Sequence, residues 1–340
     1  MKRPWLTPLV PLYAAGIAAR GLGLKLRWEP ARHLRWPVIS IGNLSTGGAG
    51  KTPFAIALAR LLAANGFSID VLSRGYGRQS NRPARVRAEG TAVEFGDEPL
   101  LIARETGLPV YVAPQRYDAG LLAEADADAS GQQGADQGRI SRAHILDDGF
   151  QHRQLAREAD ILLLNRRDWR DSLLPAGNLR EGLHAAMRAD VIAIPADDQE
   201  LEWELRGWGW KGLIWRLHRR MEIPAIDGPV TAFCGIAHPE QFFNGLKHAG
   251  LQLSARTAFS DHHRFTAQDV RTLISMASSA EATALITTEK DAIRLGALAS
   301  GFPANLPLKI ARLRIEIENQ TEVLAWFVSR VSSRSANPPL

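Results

Sequence analysis

Short apolar runs rich in β-branched residues recur at 37–41, 69–73, 109–112, 144–147, 160–164 and 190–194, separated by stretches with apolar residues at helical spacing. Such runs, bounded by turn residues, read as buried strands, and their alternation with helices reads as a parallel sheet covered on its faces. After about residue 215 the pattern restarts. PVTAFCGI, a helix from Pro239, SARTAF, a helix from Thr266, TALITT, a helix from Glu289, LPLKIARLRI and a last helix from Thr321 follow in order. The expectation is an α/β protein with a parallel-sheet core domain over 37–215 and a smaller α/β domain over 216–330, joined near 200–225. Residues 124–139 (EADADASGQQGADQGR) have no apolar periodicity and read as a flexible insertion. The tail from 331 to 340 reads as disordered.

The front end departs from this pattern. Residues 5–19, WLTPLVPLYAAGIAA, carry no charge, and more basic sequence follows. A span of a membrane needs about 20 apolar residues, so this run is short for one, and Pro8 and Pro11 interrupt it. Trp5, Tyr13, Trp28 and Trp36 are interspersed with Arg and Lys, which suits an amphipathic helix lying among lipid headgroups. A helix packed on the protein body and a cleaved signal are the alternatives.

Charge sharpens that picture. The chain has 340 residues with 41 Lys and Arg against 36 Asp and Glu, a net +5. Within residues 1–36, Lys2, Arg3, Arg20, Lys25, Arg27, Arg32 and Arg35 face one acid, Glu29, so that segment alone is +6. The body is therefore close to neutral. This argues for one local contact with an anionic surface and against a nucleic-acid-binding protein. The single cysteine, Cys234, excludes an intramolecular disulfide and a Cys-rich zinc site.

The chemistry starts after the 37–41 run. Gly42-Asn43-Leu44-Ser45-Thr46-Gly47-Gly48-Ala49-Gly50-Lys51-Thr52 precedes a helical stretch from Pro53. Strand, glycine-rich loop, Lys-Thr and helix make the context of a phosphate-binding loop. Glycines let backbone N–H groups converge on phosphate oxygens, and the helix N-terminus adds partial positive charge. Residues 45–52 are the candidate ATP-binding loop, with Lys51 reaching the β- and γ-phosphates and the Thr52 hydroxyl available to Mg²⁺. Ser45 stands where GxxxxGK[ST] has its first glycine. A second strand, HILDD, would deliver Asp147 and Asp148 beside the loop as Mg²⁺ ligands, against the plainer reading of an Asp-Asp-Gly turn.

Other segments are less decided on spacing alone. Asp97 and Glu98 in FGDEP read as a helix start. The SRGYGR loop at 73–78, with Arg74 and Tyr76, is either a phosphate clamp or a solvated turn. Asp261-His262-His263 is weak evidence by itself, and His262 would have to cross the cleft between domains to meet Asp97. Asn165-Arg166-Arg167-Asp168 after a strand is close to the guanine-reading NKxD motif, although Arg and Lys are not interchangeable there. A P-loop GTPase switch or metallochaperone is thus the alternative to a kinase. The kinase reading uses the loop, the acids and the basic front end together.

Taken in order, GNL with GGAGKTP, SRGYGR at 73–78, GDEP at 96–99, DDGFQH at 147–152, LLPAGNLRE at 173–181, FCGIAHPEQFF at 233–243, DHHRF at 261–265 and TTEKDAIRL at 287–295 resemble the tetraacyldisaccharide 4′-kinase family of lipid A biosynthesis. The resemblance implies a P-loop NTPase-like core and a second, smaller domain. It implies transfer of phosphate from ATP, with Mg²⁺, to the 4′-hydroxyl of a tetraacylated glucosamine disaccharide 1-phosphate. It also implies attachment to the cytoplasmic face of the bacterial inner membrane, with no obligatory protein partner. By the same resemblance Asp97 would be the base for the sugar hydroxyl, paired with His262, a pairing expected to raise the base's proton affinity in the reacting complex and to orient it. Lys51 would hold transferring oxygens. Arg74, Tyr76, Glu98, Arg116, Gln151 and His152 would lie near substrate or phosphates. The loop departs from the family's usual GNLTVGGTGKTP at Ser45, Thr46 and Ala49, small residues for small ones.

Overall fold

The structure is a computed structural model that describes residues 3–26, 30–48, 50–130 and 142–335. A 3-10 turn at Pro4–Leu9 leads into α1 (Val10–Lys25). The first half of the body comprises β1 (Val38–Asn43), α2 (Lys51–Ala64), β2 (Ser68–Ser73), β3 (Ala84–Arg85), α3 (Ala92–Phe95), α4 (Asp97–Thr106), β4 (Val110–Val112) and α5 (Arg116–Ala129). It continues through β5 (Arg142–Leu146), β6 (Ala159–Leu163), α6 (Arg166–Trp169), β7 (Val191–Pro195), α7 (Gln199–Gly207) and β8 (Leu213–Glu222). The second half comprises β9 (Val230–Cys234), α8 (Pro239–His248), β10 (Leu253–Ala258), α9 (Ala267–Ser279), β11 (Ala284–Thr288), α10 (Glu289–Leu295), β12 (Leu308–Ile317) and α11 (Gln320–Ser335).

All the strands belong to one twelve-stranded sheet in the order β10-β9-β11-β12-β8-β7-β6-β1-β5-β2-β4-β3. β8 through β4 pair in parallel, as do β10 through β12, and the two sets meet in the antiparallel β12–β8 pair. The register of that pair creates the cleft. Leu213 to Leu217 of β8 pair with β7, whereas Leu217 to Glu222 run past the end of β7 and pair with Ile317 to Arg312 of β12. The earlier part of β12, Leu308 to Ala311, pairs with β11. The second half therefore stands beyond the carboxyl ends of the first half's strands, and its own strands point back at them. Two carboxyl edges face each other, and in open α/β sheets those edges hold the ligand-binding loops.

β8 is the element that the apolar pattern hides. Its second half reads LHRRME, a polar stretch expected to be linker, and it is instead a long ribbon exposed on one side. The core of the first half packs the buried side chains of α2, including Phe54, Leu58 and Leu62, against β1 and β2. A fully buried Phe or Leu contributes about 1.5–3 kcal/mol.

Two expectations are corrected. Residues 124–129, predicted as part of a flexible insertion, are the last turns of α5, because Glu124 points inward to accept the Trp36 N–H at 3.0 Å and to meet buried His144. Residues 131–139 of that stretch lie outside the described residues. Residues 331–335 of the predicted tail are helical, and 336–340 lie outside the described residues. The N-terminal helix is present, but its apolar residues surround the axis instead of lining one face. VPLYAAGIAARGLG has one charge in fourteen residues, too few to make a polar side. Trp5 and Leu12 are each 75% exposed, and none of the described α1 side chains is buried. Trp28 lies outside the described residues.

Candidate active site in the cleft

The loop between β1 and α2 is braced from beneath. Thr46 donates its N–H to the Asn178 carbonyl (2.9 Å), the Arg180 N–H reaches the Leu44 carbonyl (2.7 Å), and Ser45 bridges to Leu179. The LPAGNLRE segment is thus a buttress for the phosphate loop. Gly42 must be glycine, since a Cβ there would come within 2.5 Å of the Phe150 Cβ. Gly48, at φ +70°, lies under the His238 ring of the opposite half, so close that a Cβ would collide with it. Lys51 Nζ donates to Asn43 Oδ1 (2.9 Å) and meets Asp148 Oδ1 at 3.3 Å. Thr52 is buried in the first turn of α2. Gly47 and Gly50 carry the positive φ of a backbone curled for anion contact. Ala49 lies outside the described residues.

Asp147 and Asp148 follow β5 directly, and Asp148 adopts a left-handed φ of 49°. The segment is a turn, as its plainer reading held, and it also presents both carboxylates to the loop. Their environments differ. Burial would raise the Asp148 carboxyl, but Lys51 and Arg180, the latter at 3.0 Å, bring it down to about 2. Burial, reinforced by the charges of Glu98 and Asp148, pushes Asp147 up to about 7. Asp147 Oδ2 accepts the Ser73 hydroxyl at 3.2 Å, while Oδ1 is buried without a hydrogen-bond partner among the described residues. A cation fits such an orphaned oxygen. Among the described residues no three acidic, His or Cys side chains converge as a metal cage. The arrangement suits Mg²⁺, which takes one or two carboxylates and draws its other ligands from phosphates and water.

Asp97 and His262 meet across the cleft, His262 Nδ1 lying 3.2 Å from Asp97 Oδ2. Asp97 is the first residue of α4, and its Oδ1 accepts the Glu98 N–H at 3.0 Å. His262 stands in the turn between β10 and α9 at φ +58°, strain of order 1–3 kcal/mol that the Gly235 carbonyl helps to hold by accepting the His262 N–H. In the resting site the proton affinity of Asp97 is low. Burial would raise it, but the His262 hydrogen bond and the charges of Arg294, Lys290 and His262 hold Asp97 well below the usual carboxylate range. Arg294 is the partner that sequence reasoning missed. It ion-pairs with Asp97, and its Nη1 also reaches Asp291 at 3.0 Å. Lys290 likewise pairs with Glu98. Both cations come from TTEKDAIRL, where nothing local shows that they face residues 192 and 197 positions earlier.

A cavity of about 340 Å³ lies between the halves. Its floor is Gly47, Gly48, Gly50, Lys51 and Thr52, and its roof includes Met221, Ile236, Phe242 and Leu313, with Arg219, His238 and Gln241 as polar groups. Phosphate donors at one end and an apolar pocket at the other match the two parts of a nucleotide. Ile236, His238, Gln241 and Phe242 come from FCGIAHPEQFF, a segment that carried the resemblance without a role, and Met221, Arg219 and Leu313 come from segments that the sequence did not mark for chemistry. Gln151 lies beside the loop, donating to the Asn43 carbonyl (2.9 Å). Arg116 is buried at the start of α5, and Arg74 and Tyr76 are exposed after β2, Tyr76 with its ring 5.3 Å from that of His262. Burial and then the charges of Arg116, Arg157, Arg20 and Arg74 push His152 down to about 4, so it is neutral.

The guanine-reading motif dissolves in the structure. Asn165 caps α6 by accepting the Asp168 N–H (3.0 Å), Asp168 is buried against Asn165 and Ser45, and Arg166 pairs with Asp198 and Glu200. Its side chains are consumed within their own neighbourhood, and the GTPase alternative loses its basis.

A phosphate loop beneath a nucleotide-sized cavity, two aspartates beside it and a carboxylate–imidazole pair opposite define a P-loop phosphotransferase. The model of the tetraacyldisaccharide-1-P 4′-kinase family, LpxK, matches residues 2–332, and the chain belongs to that family. The tetraacyldisaccharide 4′-kinase of Koribacter versatilis is 38% identical over 339 residues, covering 97% of this chain and 99% of its own. That of Aeromonas hydrophila is 35% identical over 298 residues, with 85% and 82% covered. Among solved structures, LpxK from Aquifex aeolicus in complex with ATP aligns with a TM-score of 0.72 at 29% identity, over 96% of this chain and 98% of that one.

Proposed function

We propose that the protein transfers the γ-phosphoryl group of ATP to the 4′-hydroxyl of a tetraacylated glucosamine disaccharide 1-phosphate, a lipid A precursor, at a membrane surface. The observation that carries this reading is the meeting of Asp97 and His262 opposite the phosphate loop, with family membership naming the acceptor. The backbone of residues 45–50 and Lys51 hold the β- and γ-phosphates. Asp97 accepts the proton of the sugar hydroxyl as its oxygen bonds to the γ-phosphorus and the bond to the β-phosphate oxygen breaks, releasing ADP. His262 orients Asp97, and Arg294 holds the same carboxylate from the other side. Mg²⁺, held by Asp147, Asp148 and Thr52, would neutralise phosphate charge. Residues 37–215 and 216–330 act as the two jaws around the nucleotide.

No described helix is long and apolar enough to cross a membrane. The exposed Trp5, Leu9, Leu12, Leu22 and Leu26 with the neighbouring cations favour a helix seated in the headgroup layer of the cytoplasmic leaflet. The test measures ADP release with ATP alone, with ATP and the diglucosamine lipid, and with GTP and the lipid. Release that depends on ATP and the lipid supports the reading. Equal release without the lipid, or preference for GTP, overturns it.

A further inference from the structure

The roof builds a rigid corner around one peptide before it meets the floor. Thr288 caps α10, and its hydroxyl donates to Asp291 Oδ2 at 2.7 Å. The same oxygen accepts the Gly235 N–H at 3.0 Å, so fully buried Asp291 ties the loop after β9 to α10. Arg294 lies three residues further along α10, its side chain 6% exposed. Its Nη1 donates to Asp291 Oδ1 at 3.0 Å and to the Gly235 carbonyl at 2.5 Å. That carbonyl also accepts the His262 N–H at 3.2 Å. One peptide of the roof therefore sets both Arg294 and the strained turn of His262.

What this corner presents to Asp97 is a fork of donors. Arg294 Nε donates to Asp97 Oδ2 at 2.7 Å, and Nη2 meets the same oxygen. His262 Nδ1 reaches it as well, at 3.2 Å. A carboxylate offers about two lone-pair sites on each oxygen, so three donors fill Oδ2. Oδ1 accepts only the Glu98 N–H among the described residues. Arg294 Nη2 also lies 3.2 Å from His262 Nδ1. A guanidinium has no acceptor, so the imidazole bonds Asp97 only with its proton on Nδ1, and the two donors then share Oδ2. Lys290, paired with Glu98, faces Asp97 from the same helix, and Asp261 faces Arg294 from the turn of His262. A buried fork fixes the rotation of a carboxylate, which a point charge such as Lys290 does not.

We propose that Arg294 is a positioning residue of the transfer step: with His262 it fills Asp97 Oδ2 and so leaves Oδ1 to accept the proton of the acceptor hydroxyl. This rests on the kinase reading above. The hydroxyl oxygen bonds to the γ-phosphorus as its proton passes to Oδ1, and ADP leaves with the electrons of the broken bond. Arg294 is not among the residues lining the nucleotide cavity, and it acts through Asp97. The base belongs to the floor, and its alignment comes from the roof.

A double-variant cycle on the full-length enzyme tests this. kcat and the KM for ATP are measured with the diglucosamine lipid 1-phosphate in mixed micelles, using radiolabelled ATP so that low rates stay measurable. Arg294→Gln is expected to lower kcat about 10–10²-fold, the cost of a misplaced reacting group, with the KM for ATP within a few-fold of wild type. In an Asp97→Asn background the same change is expected to cost less than about threefold, because residues that act as a unit are not additive. A residue that merely ties the two halves together would cost the same in both backgrounds or raise the KM for ATP, and either result overturns the proposal. Arg294→Lys keeps a cation between Asp97 and Asp291 without the fork, and it decides the question if Arg294→Gln does not fold. Its kcat is expected to stay about tenfold below wild type, since lysine cannot reproduce the fork, and full activity overturns the proposal. Wild-type kcat in both Arg294 variants overturns this inference alone. Absence of lipid-dependent ADP release by the wild type removes the kinase reading as well.

Discussion

The floor and the roof of the cleft are held by different means. The floor is continuous parallel sheet, and its phosphate loop is tied by backbone hydrogen bonds from Thr46 and Arg180 to a neighbouring segment. The roof joins the floor through one antiparallel strand pair, through apolar packing of β12 and α11 against the first half, and, at the cleft itself, through side-chain contacts, Lys290 with Glu98 and Arg294 with Asp97. Backbone bonds fix the floor whether or not ligand is bound. The Arg294–Asp97 pair is buried and is made by side chains alone, so it holds only while the roof stays in place. The floor can therefore recognise phosphates by itself, whereas the reaction needs the roof, because only the roof supplies His262.

Asp97→Asn tests that division most severely. It keeps the shape of the side chain and removes the base, so kcat should fall about 10²–10⁴-fold. ATP affinity, measured by calorimetry, should stay within a few-fold. Near-normal kcat would break the assignment of the base. Lys51→Ala cuts the floor instead and should lower kcat by about 10²–10³-fold, the cost of one preorganised donor on developing charge. Here nucleotide affinity should fall as well. If Lys51→Ala left ATP binding intact and Asp97→Asn abolished it, the functions of floor and roof would be the reverse of those argued.

The same contrast explains what could be read from the chain. The floor was legible because its signals are local. The β1 run, GGAGKT and HILDD each put a chemical group at a strand end within a dozen residues. Residues of the roof gained a role only through the family resemblance. The resemblance paired His262 of DHHRF with Asp97, but TTEKDAIRL pointed nowhere until the β8–β12 register turned its strand end towards α4. β8 itself was read as linker because five of the ten residues in LIWRLHRRME are polar, four of them in its second half. Arg219 belongs to no local pattern, and Arg294 and His238 lie in quoted motifs that gave them no role, so tertiary contact alone gives the three a place in the site. The front end fails differently. Its composition did suggest a surface helix, but a two-faced helix was not the form taken.

That helix gives the next prediction. It touches the floor through the Arg3 N–H on the Ala176 carbonyl (2.7 Å) and the Tyr13 hydroxyl on the Arg180 carbonyl (3.1 Å), and it leaves Trp5 and Leu12 outward. A Trp5→Ser, Leu12→Ser double variant loses no described side-chain contact with the body. Its partitioning into vesicles containing anionic lipid should fall at least about tenfold, since burying each such side chain is worth about 1.5–3 kcal/mol. Sedimentation with vesicles at the wild-type level would refute insertion of this helix.

The smallest effect on turnover concerns the floor far from the chemistry. His144 on β5 is fully buried, with Nδ1 2.6 Å from Asp70 and Nε2 3.5 Å from Glu124. Burial disfavours its charge, but Asp70 and Glu124 outweigh burial and raise it to about 9. The pair of carboxylates also ties β5 to α5 and to the Trp36 N–H. A histidine pKa raised on folding contributes stability that is complete below its ordinary value of about 6.5 and is lost as pH rises through the folded one. The urea midpoint should therefore decline between about pH 6.5 and 9 while kcat per folded molecule is governed by the cleft. Titration of the His144 imidazole by NMR locates the cause. A ring that loses its proton near pH 6.5, or a midpoint that holds steady to pH 9, would mean that the floor's cohesion does not depend on this buried charge. The contrast with the roof would then rest on backbone pairing alone.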